Sequence, residues 1–451
     1  MDDVSENRNS SQISVFQKSS NRKSFSSWLA VFGALYFLLF AFDYWPIKST
    51  FGWSSGRNSI FGDLSMALRM MECSKEYGTS IYTFSNPNGC SGYTYGYLMA
   101  LLIAFLGIGP SVSVFLGYIF IGVILLNSVI FIWLASQKLQ LRKPYLILLV
   151  FSPPFWLAAA APNFDSLVIM LLSIASFMEI NTKHLSSLIL VALSSLVKFF
   201  TLPLLILLCL KLVGGARYSL KQKFLALLLT FLVIISNLHD ISLVDWSNPN
   251  YRMAAGIFFV FGISSPANWI QVISKQFFHH EFIYSPVESR FIGVLCVLGL
   301  IGVSGIVVRR YLLTLPRTND SFDFGIRSRN FSQTLFLFFG VPFLTVFFQG
   351  QNYDSKLIFL SYCTIFLLDC FNFNSKKIKR SVMLVSLFSM WFSCFWPKSL
   401  PESIFNIVQI LGDLSIFTST SIILMCSILV ILREAQDQKF IASRFNFKVS
   451  T

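Results

Sequence analysis

The sequence predicts an all-α protein: a polytopic transmembrane helical bundle of about twelve helices, with an amphipathic helix on its outer face. Three observations carry this. Only 12% of the 451 residues are charged and 55% are hydrophobic, whereas a soluble chain typically carries about 25% charged residues. The apolar residues fall in blocks of about 15 to 25, the length that crosses ~30 Å of hydrocarbon at 1.5 Å per helical residue. The basic residues gather in the short gaps between those blocks, as in cytoplasmic turns.

Taken in order, residues 1–26 are rich in Ser, Asn and Gln and read as a disordered cytoplasmic tail. The first apolar block, 28–45, follows Arg22 and Lys23 and ends in Phe42, Asp43, Tyr44 and Trp45. A cleaved signal peptide needs small residues at that end, so a retained span with an aromatic interfacial end is expected. The transmembrane domain then covers 27–434, with outer loops at 46–109 and 239–290, and 435–451 form a second cytoplasmic tail. Further spans are expected at 110–136, 144–161, 164–180, 185–197, 200–213, 222–238, 291–311, 332–349, 356–372, 381–396 and 410–432. Residues 97–108 are apolar but amount to about three turns, so they are placed as an interfacial or re-entrant helix. The stretch 185–213 is divided because Lys198 sits in its middle and Pro203 follows.

With both ends inside, every inner gap carries positive charge, as at Lys138, Arg142 and Lys143, at Lys183, at Arg217 and Lys221, at Arg309 and Arg310, and at Lys376, Lys377, Lys379 and Arg380. Both long loops then lie outside, and recognition or chemistry is expected there. The net charge of +14 belongs to this topology rather than to a phosphate-tracking groove, so no nucleic acid is expected as a partner. Most of the eight cysteines sit in apolar helices, where a small buried thiol is the ordinary reading. Cys73 and Cys90 both fall in the first outer loop and form a candidate disulfide. No Cys-x-x-Cys pair occurs, and His184, His239, His279 and His280 have no metal-ligand spacing, so no metal or other cofactor is expected.

Candidate chemistry clusters at the outer boundary. Leu64, Ala67, Leu68 and Met71 recur at helical spacing and predict an amphipathic surface helix with Asp63 at its start. Asp63 reads either as a cap on exposed N–H groups or as a general base just outside the bilayer. Tyr93 and Tyr95 near the close of the loop read as an interfacial belt or as rings stacking on a sugar. Asn163 and Asp165, after Pro162, read as a capped turn or as a boundary site. Lys198 places an ammonium at the end of a half-helix, at a cost of several kcal/mol unless an anion or the interface receives it. Asn352, Asp354 and Lys356 form a short polar cluster before an apolar run. Because the outer face is otherwise poor in cations, Lys198, Lys356 and Arg252 are the phosphate-binding candidates. Asp369 and Asp413 also lie in apolar helices and receive no role.

In this order the elements resemble the GT-C class of membrane glycosyltransferases, and within it the polyprenyl-phosphate-mannose-dependent mannosyltransferases. The resemblance rests on Asp63 early in the first outer loop, Tyr93-Thr94-Tyr95 at its close, and Asn163-Phe164-Asp165 opening a helix. It extends to Lys198-Phe199-Phe200-Thr201-Leu202-Pro203, one residue longer before the proline than the family's turn, and to Asn352 through Leu360. Two features depart from the family: Leu64 follows Asp63 where many members carry a second acid, and a Pro-Pro pair after the tyrosines is absent. The resemblance implies transfer of a hexose, mannose first, from a polyprenyl-phosphate donor in the bilayer to a glycan or lipid acceptor, with inversion. Asp63 would be the base, and Lys198, Lys356 and Arg252 would stabilise the leaving phosphate without an obligatory metal. The expected location is a bacterial inner membrane with the site on the periplasmic face. The rivals are a transporter or flippase of lipid-linked glycans, with ionisable groups along a path to the inside, and a polymerase or ligase of such glycans.

Overall fold

A computed structural model of the chain describes residues 96–138, 143–160, 163–215, 218–243, 260–263, 265–280, 284–312, 324–349, 352–370, 376–392 and 410–428, with isolated residues elsewhere from 64 onward. The expected first span at 28–45, both tails, Asp63, Cys73, Tyr93, Tyr95 and Arg252 lie outside the described residues.

The architecture is helical. The helices are α1 (Tyr97–Phe105), α2 (Ser113–Lys138), α3 (Lys143–Val150), α4 (Pro153–Ala160), α5 (Asp165–Ile180), α6 (His184–Val197) and α7 (Leu202–Gly214). They continue as α8 (Leu220–Leu243), α9 (Ser265–Phe278), α10 (Pro286–Leu312), α11 (Phe324–Phe348), α12 (Ile358–Cys370) and α13 (Lys376–Phe392), followed by α14 (Ile410–Ile428). Two ladders of two residues per strand interrupt this pattern. Strand β1 (Ser85–Asn86) pairs antiparallel with β2 (Cys90–Ser91), and β3 (Val260–Phe261) with β4 (Asn352–Tyr353).

Three described stretches are long and apolar enough to cross a membrane: Pro110–Leu134, Leu220–Asp240 and Ile410–Ile428. Other apolar helices, such as α6, are shorter; its 14 residues rise about 21 Å, less than the hydrocarbon thickness. The block at 144–161 is not one helix, contrary to the expectation. It stops at Val150 and restarts at Pro153, because prolines at 153 and 154 remove two N–H donors and exclude the preceding residue from helical geometry. Helical residues between 64 and 72 bury Leu64, Ala67 and Leu68 while Arg69 and Glu72 stay exposed, the two-faced arrangement that the apolar spacing encodes.

Two helix starts carry reciprocal caps. At α8 the Ser219 N–H donates to Gln222 Oε1 (3.0 Å) and the Gln222 N–H to Ser219 Oγ (3.3 Å). At α10 the Ser285 N–H donates to Glu288 Oε2 (2.7 Å) and the Glu288 N–H to Ser285 Oγ (3.2 Å). The core is aromatic. Phe131 meets Phe339, Tyr362 and Phe366 edge-on, with ring centroids 5.1, 4.8 and 5.4 Å apart. The buried Tyr362 phenol shares a 2.7 Å hydrogen bond with Ser128 Oγ, which removes the penalty of an orphaned hydroxyl. Small residues let α5 and α6 pack closely. Ser173, Ser194 and Ser195 turn their hydroxyls back to carbonyls of their own helix at 2.8, 3.0 and 2.9 Å.

Candidate functional site

Three chain segments, far apart in sequence, bring Asn163, Asp165, Lys198 and Lys356 to one place. The first is the start of α5. The Asp165 N–H donates to Asn163 Oδ1 at 2.8 Å and the Ser166 N–H to the Asn163 carbonyl at 3.1 Å, so Asn163 closes a turn over the first exposed amides. That turn leaves the buried Asp165 carboxylate in the first turn of the helix, where the macrodipole favours negative charge. Phe164 wedges the turn against α2 through an edge contact with Phe120 at 5.8 Å.

The second segment is the break between α6 and α7. Lys198 takes an extended conformation, φ −146° and ψ 120°, between α6 and a single 3-10 turn at Phe199–Thr201. Hydroxyls hold the break. Thr201 Oγ1 donates to the Lys198 carbonyl (3.1 Å), Ser194 Oγ donates to Thr201 Oγ1 (3.0 Å), and Ser195 Oγ shares a hydrogen bond with Thr201 Oγ1 (2.9 Å). The Lys198 N–H keeps its helical bond to the Ser194 carbonyl (2.9 Å) while Thr201 satisfies the Lys198 carbonyl, so the bend is built rather than frayed. Pro203 then sits in the first turn of α7, where its missing N–H costs nothing.

The third segment is the turn before α12. Strand β4 is fixed by its pairing with β3, Val260 opposite Tyr353 and Phe261 opposite Asn352. A 3-10 turn, Asp354–Leu357, follows and packs against α4. Leu357, Ile358, Phe359 and Leu360 are fully buried behind it and anchor Lys356 at the surface of the core. Asn352 and Asp354 lie on the backbone of this segment; their side chains are outside the described residues.

The Lys198 ammonium lies 3.8 Å from Asp165 Oδ1, an ion pair longer than a direct hydrogen bond. Lys356 lines the same cleft as Asn163, Asp165 and Ser166, and is close enough to feel the charges of both Lys198 and Asp165. The cleft is tight, with space for about one water molecule. Among the described residues, two ammonium groups thus converge on the Asp165 carboxylate. Ile124, Ile169, Ile358 and Phe359 make up the apolar part of the lining, so the charged groups meet in a poorly hydrated place where hydrogen bonds to ions are strong.

Two further features escaped the sequence reading. Asp240, at the end of α8, accepts a 3.0 Å hydrogen bond from the Tyr97 N–H, the first amide of α1. The Gly96 N–H beside it donates to the Val197 carbonyl at 3.1 Å, so the end of the tyrosine-rich loop is docked on the Lys198 break. Asp240→Ala should release this docking and lower the unfolding midpoint, with a loss of about 1 kcal/mol typical of a removed helix cap. Asp240→Asn keeps an acceptor and should stay close to wild type in the same thermal-unfolding assay.

The second feature lies at the other end of α5. Glu179 Oε1 receives His184 Nδ1 at 2.8 Å and Lys211 Nζ at 3.2 Å, and the His184 ring meets Tyr218 edge-on at 5.5 Å. Glu179 is 6% exposed, and its cluster ties α5, α6 and α7 together at their basic ends. A carboxylate inside the apolar run at 164–180 was the available signal. Asp413, given no role from sequence, is buried and accepts a 2.9 Å hydrogen bond from Trp269 Nε1. No protein-family model, curated protein or solved structure matches this chain.

Proposed function

We propose that the chain is a membrane glycosyltransferase that moves a hexose, mannose in the first instance, from a polyprenyl-phosphate donor to a glycan or lipid acceptor at the outer face. The observation that carries the reading is the convergence of Lys198 and Lys356 on the cleft at Asp165. A phosphate monoester or diester is the anion that such a pair of point charges serves; because the cleft has space for about one water molecule, the reading requires that it widen to admit the donor. In the proposed reaction the Asp63 carboxylate takes the proton of the acceptor hydroxyl. That oxygen bonds to the anomeric carbon from the face opposite the phosphate, and the carbon–oxygen bond to phosphate breaks with its electron pair on the leaving oxygen. Lys198 and Lys356, joined by Arg252, stabilise the charge growing there. Tyr93 and Tyr95 offer stacking faces to the sugar, and Gly96 seats their loop at the Lys198 break. The proposed frame is a GT-C-like bundle of about twelve spans in a bacterial inner membrane.

A specific observation favours a second reading, a transporter or flippase of lipid-linked glycans. Glu179, His184 and Lys211 are clustered at the far end of the helix that Asp165 begins, with buried Ser173 and Ser176 between, as a polar route across the membrane would require. Sugar transfer in proteoliposomes given polyprenyl-phosphate mannose and mixed glycan or lipid acceptors separates the two. Wild type transfers and Asp63→Asn loses transfer by at least about 10²-fold, the scale of a general base. Equal transfer by both removes Asp63 from the mechanism. Movement of intact lipid-linked glycan without transfer replaces the transferase reading by the transporter.

A further inference from the structure

Away from the cleft, the connection between α9 and α10 exposes aromatic rings in an ordered row. It begins at Phe278, which is 74% exposed. His279 follows in the left-handed region, φ 51°, and His280 closes the turn back on α9, its N–H donating to the Ser274 carbonyl (3.3 Å) while Ser274 Oγ donates to the His280 carbonyl (2.5 Å). The His280 ring stacks on Phe282 with centroids 4.7 Å apart and planes 27° from parallel. Phe282 in turn faces Tyr284 at 6.3 Å and 19°. The rings of His280, Phe282 and Tyr284 thus stack in one row.

The row crowns an apolar stripe on α10. Val287 is 77% exposed, and Phe291, Val294, Leu295 and Leu298 follow one, two and three turns further along the same exposed face. The opposite face is committed to the protein. Val297 is buried there, and a side chain at Gly293 would run into the Ile263 carbonyl oxygen. A continuous apolar stripe ending in stacked His, Phe and Tyr rings is the pattern of a helix leaving hydrocarbon through the interfacial belt, where amphipathic rings sit at headgroup level. Water would meet this much contiguous apolar surface unfavourably.

The helices on either side of this connection are tied to the end of α11. The Ile263 N–H, just before α9, donates to the Phe347 carbonyl at 2.9 Å, and Arg290 in the first turns of α10 reaches the Gln349 carbonyl at 3.5 Å. Phe347 and Gln349 close α11 immediately before β4 and the Lys356 turn, and β4 is itself paired with β3. The chain entering α9 and the first turns of α10 are therefore both fastened to the end of α11 that leads into the Lys356 turn.

We propose that the exposed residues between Phe278 and Phe291 form a bilayer anchor seated at the headgroup boundary of a phospholipid membrane. The inference stands whether or not sugar transfer is found.

The test uses the full chain in phosphatidylcholine vesicles, with Phe282→Cys, Val287→Cys and, on exposed α9, Lys275→Cys as the reference for accessible protein; wild type gives the background of native thiols. A membrane-impermeant maleimide should label Lys275→Cys readily. Phe282→Cys and Val287→Cys should react at least tenfold more slowly and become reactive once the bilayer is dissolved in SDS. A nitrobenzoxadiazole probe attached at 282 or 287 in detergent, then reconstituted, should be quenched by lipid carrying a nitroxide near its headgroup. Labelling at the Lys275→Cys rate overturns the proposal. So does protection without quenching, which would mean that protein, such as a second copy, covers the crown.

Discussion

Lys198→Met is expected to lower sugar transfer by on the order of 10²–10³-fold, the loss seen when one preorganised donor to a developing oxyanion is removed. Lys356→Met should fall in the same range. Methionine keeps the length and apolar stem of lysine, so the change isolates the ammonium. At position 198 it also removes one of the two cations beside the Asp165 carboxylate, 3.8 Å away, a loss of up to about 3–5 kcal/mol, the scale for a broken buried pair. The double variant Lys198→Met with Asp165→Asn separates the two effects. It should recover much of the unfolding midpoint, since no buried charge is stranded, and remain inactive, since the phosphate still lacks its cation. Recovery of transfer in the double variant would show that Lys198 serves Asp165 rather than the donor.

Gly96→Ala is expected to have the largest structural effect for its size. The backbone of Gly96 lies against the end of α6, and an added Cβ would run into the Leu196 carbonyl oxygen, an atom that cannot swing away as a side chain can. Either the Gly96–Val197 hydrogen bond of 3.1 Å breaks or α1 moves off the Lys198 break. Overpacking of this kind costs about 1–3 kcal/mol, and the displacement falls where Gly96 and α1 meet the Lys198 break. A drop in thermal midpoint together with weaker acceptor use, read as a raised KM, is the expected pair of results. An unchanged midpoint would mean that α1 is not seated on this carbonyl.

How much of this was legible in the sequence depends on whether the signal was local. The break at Lys198 was readable, because an ammonium in an apolar run and a proline five residues on are both local facts. Asn163, Asp165 and Lys356 were readable as polar residues at block ends, and they gather with Lys198. What the sequence lacked was the distance between them, which three separate turns set. The interruption between α3 and α4 was also written locally, in Pro153-Pro154, but the apolar run on both sides outweighed it. Asp240 was not readable, since its partner amide is 143 residues away and a carboxylate at a helix end has many ordinary explanations. Glu179 was hidden by its neighbours: His184 and Lys211 looked like positive charges of inner turns until the fold brought both to one carboxylate oxygen. The β3–β4 ladder that positions Lys356 has two residues per strand, too few for any alternation to register. Asp63 and Arg252 rest on the sequence reading alone.

The most direct measurement is binding of polyprenyl phosphate, without its sugar, to the full chain in lipid nanodiscs, comparing wild type with Lys198→Met and Lys356→Met. The donor's phosphate is the shared chemistry of transfer and transport, so this experiment isolates the cleft from either outcome. Saturable binding by wild type that weakens at least tenfold in each variant is the expected result. Equal affinity in all three proteins, or no saturable binding by wild type, would contradict a phosphate site formed by Lys198 and Lys356.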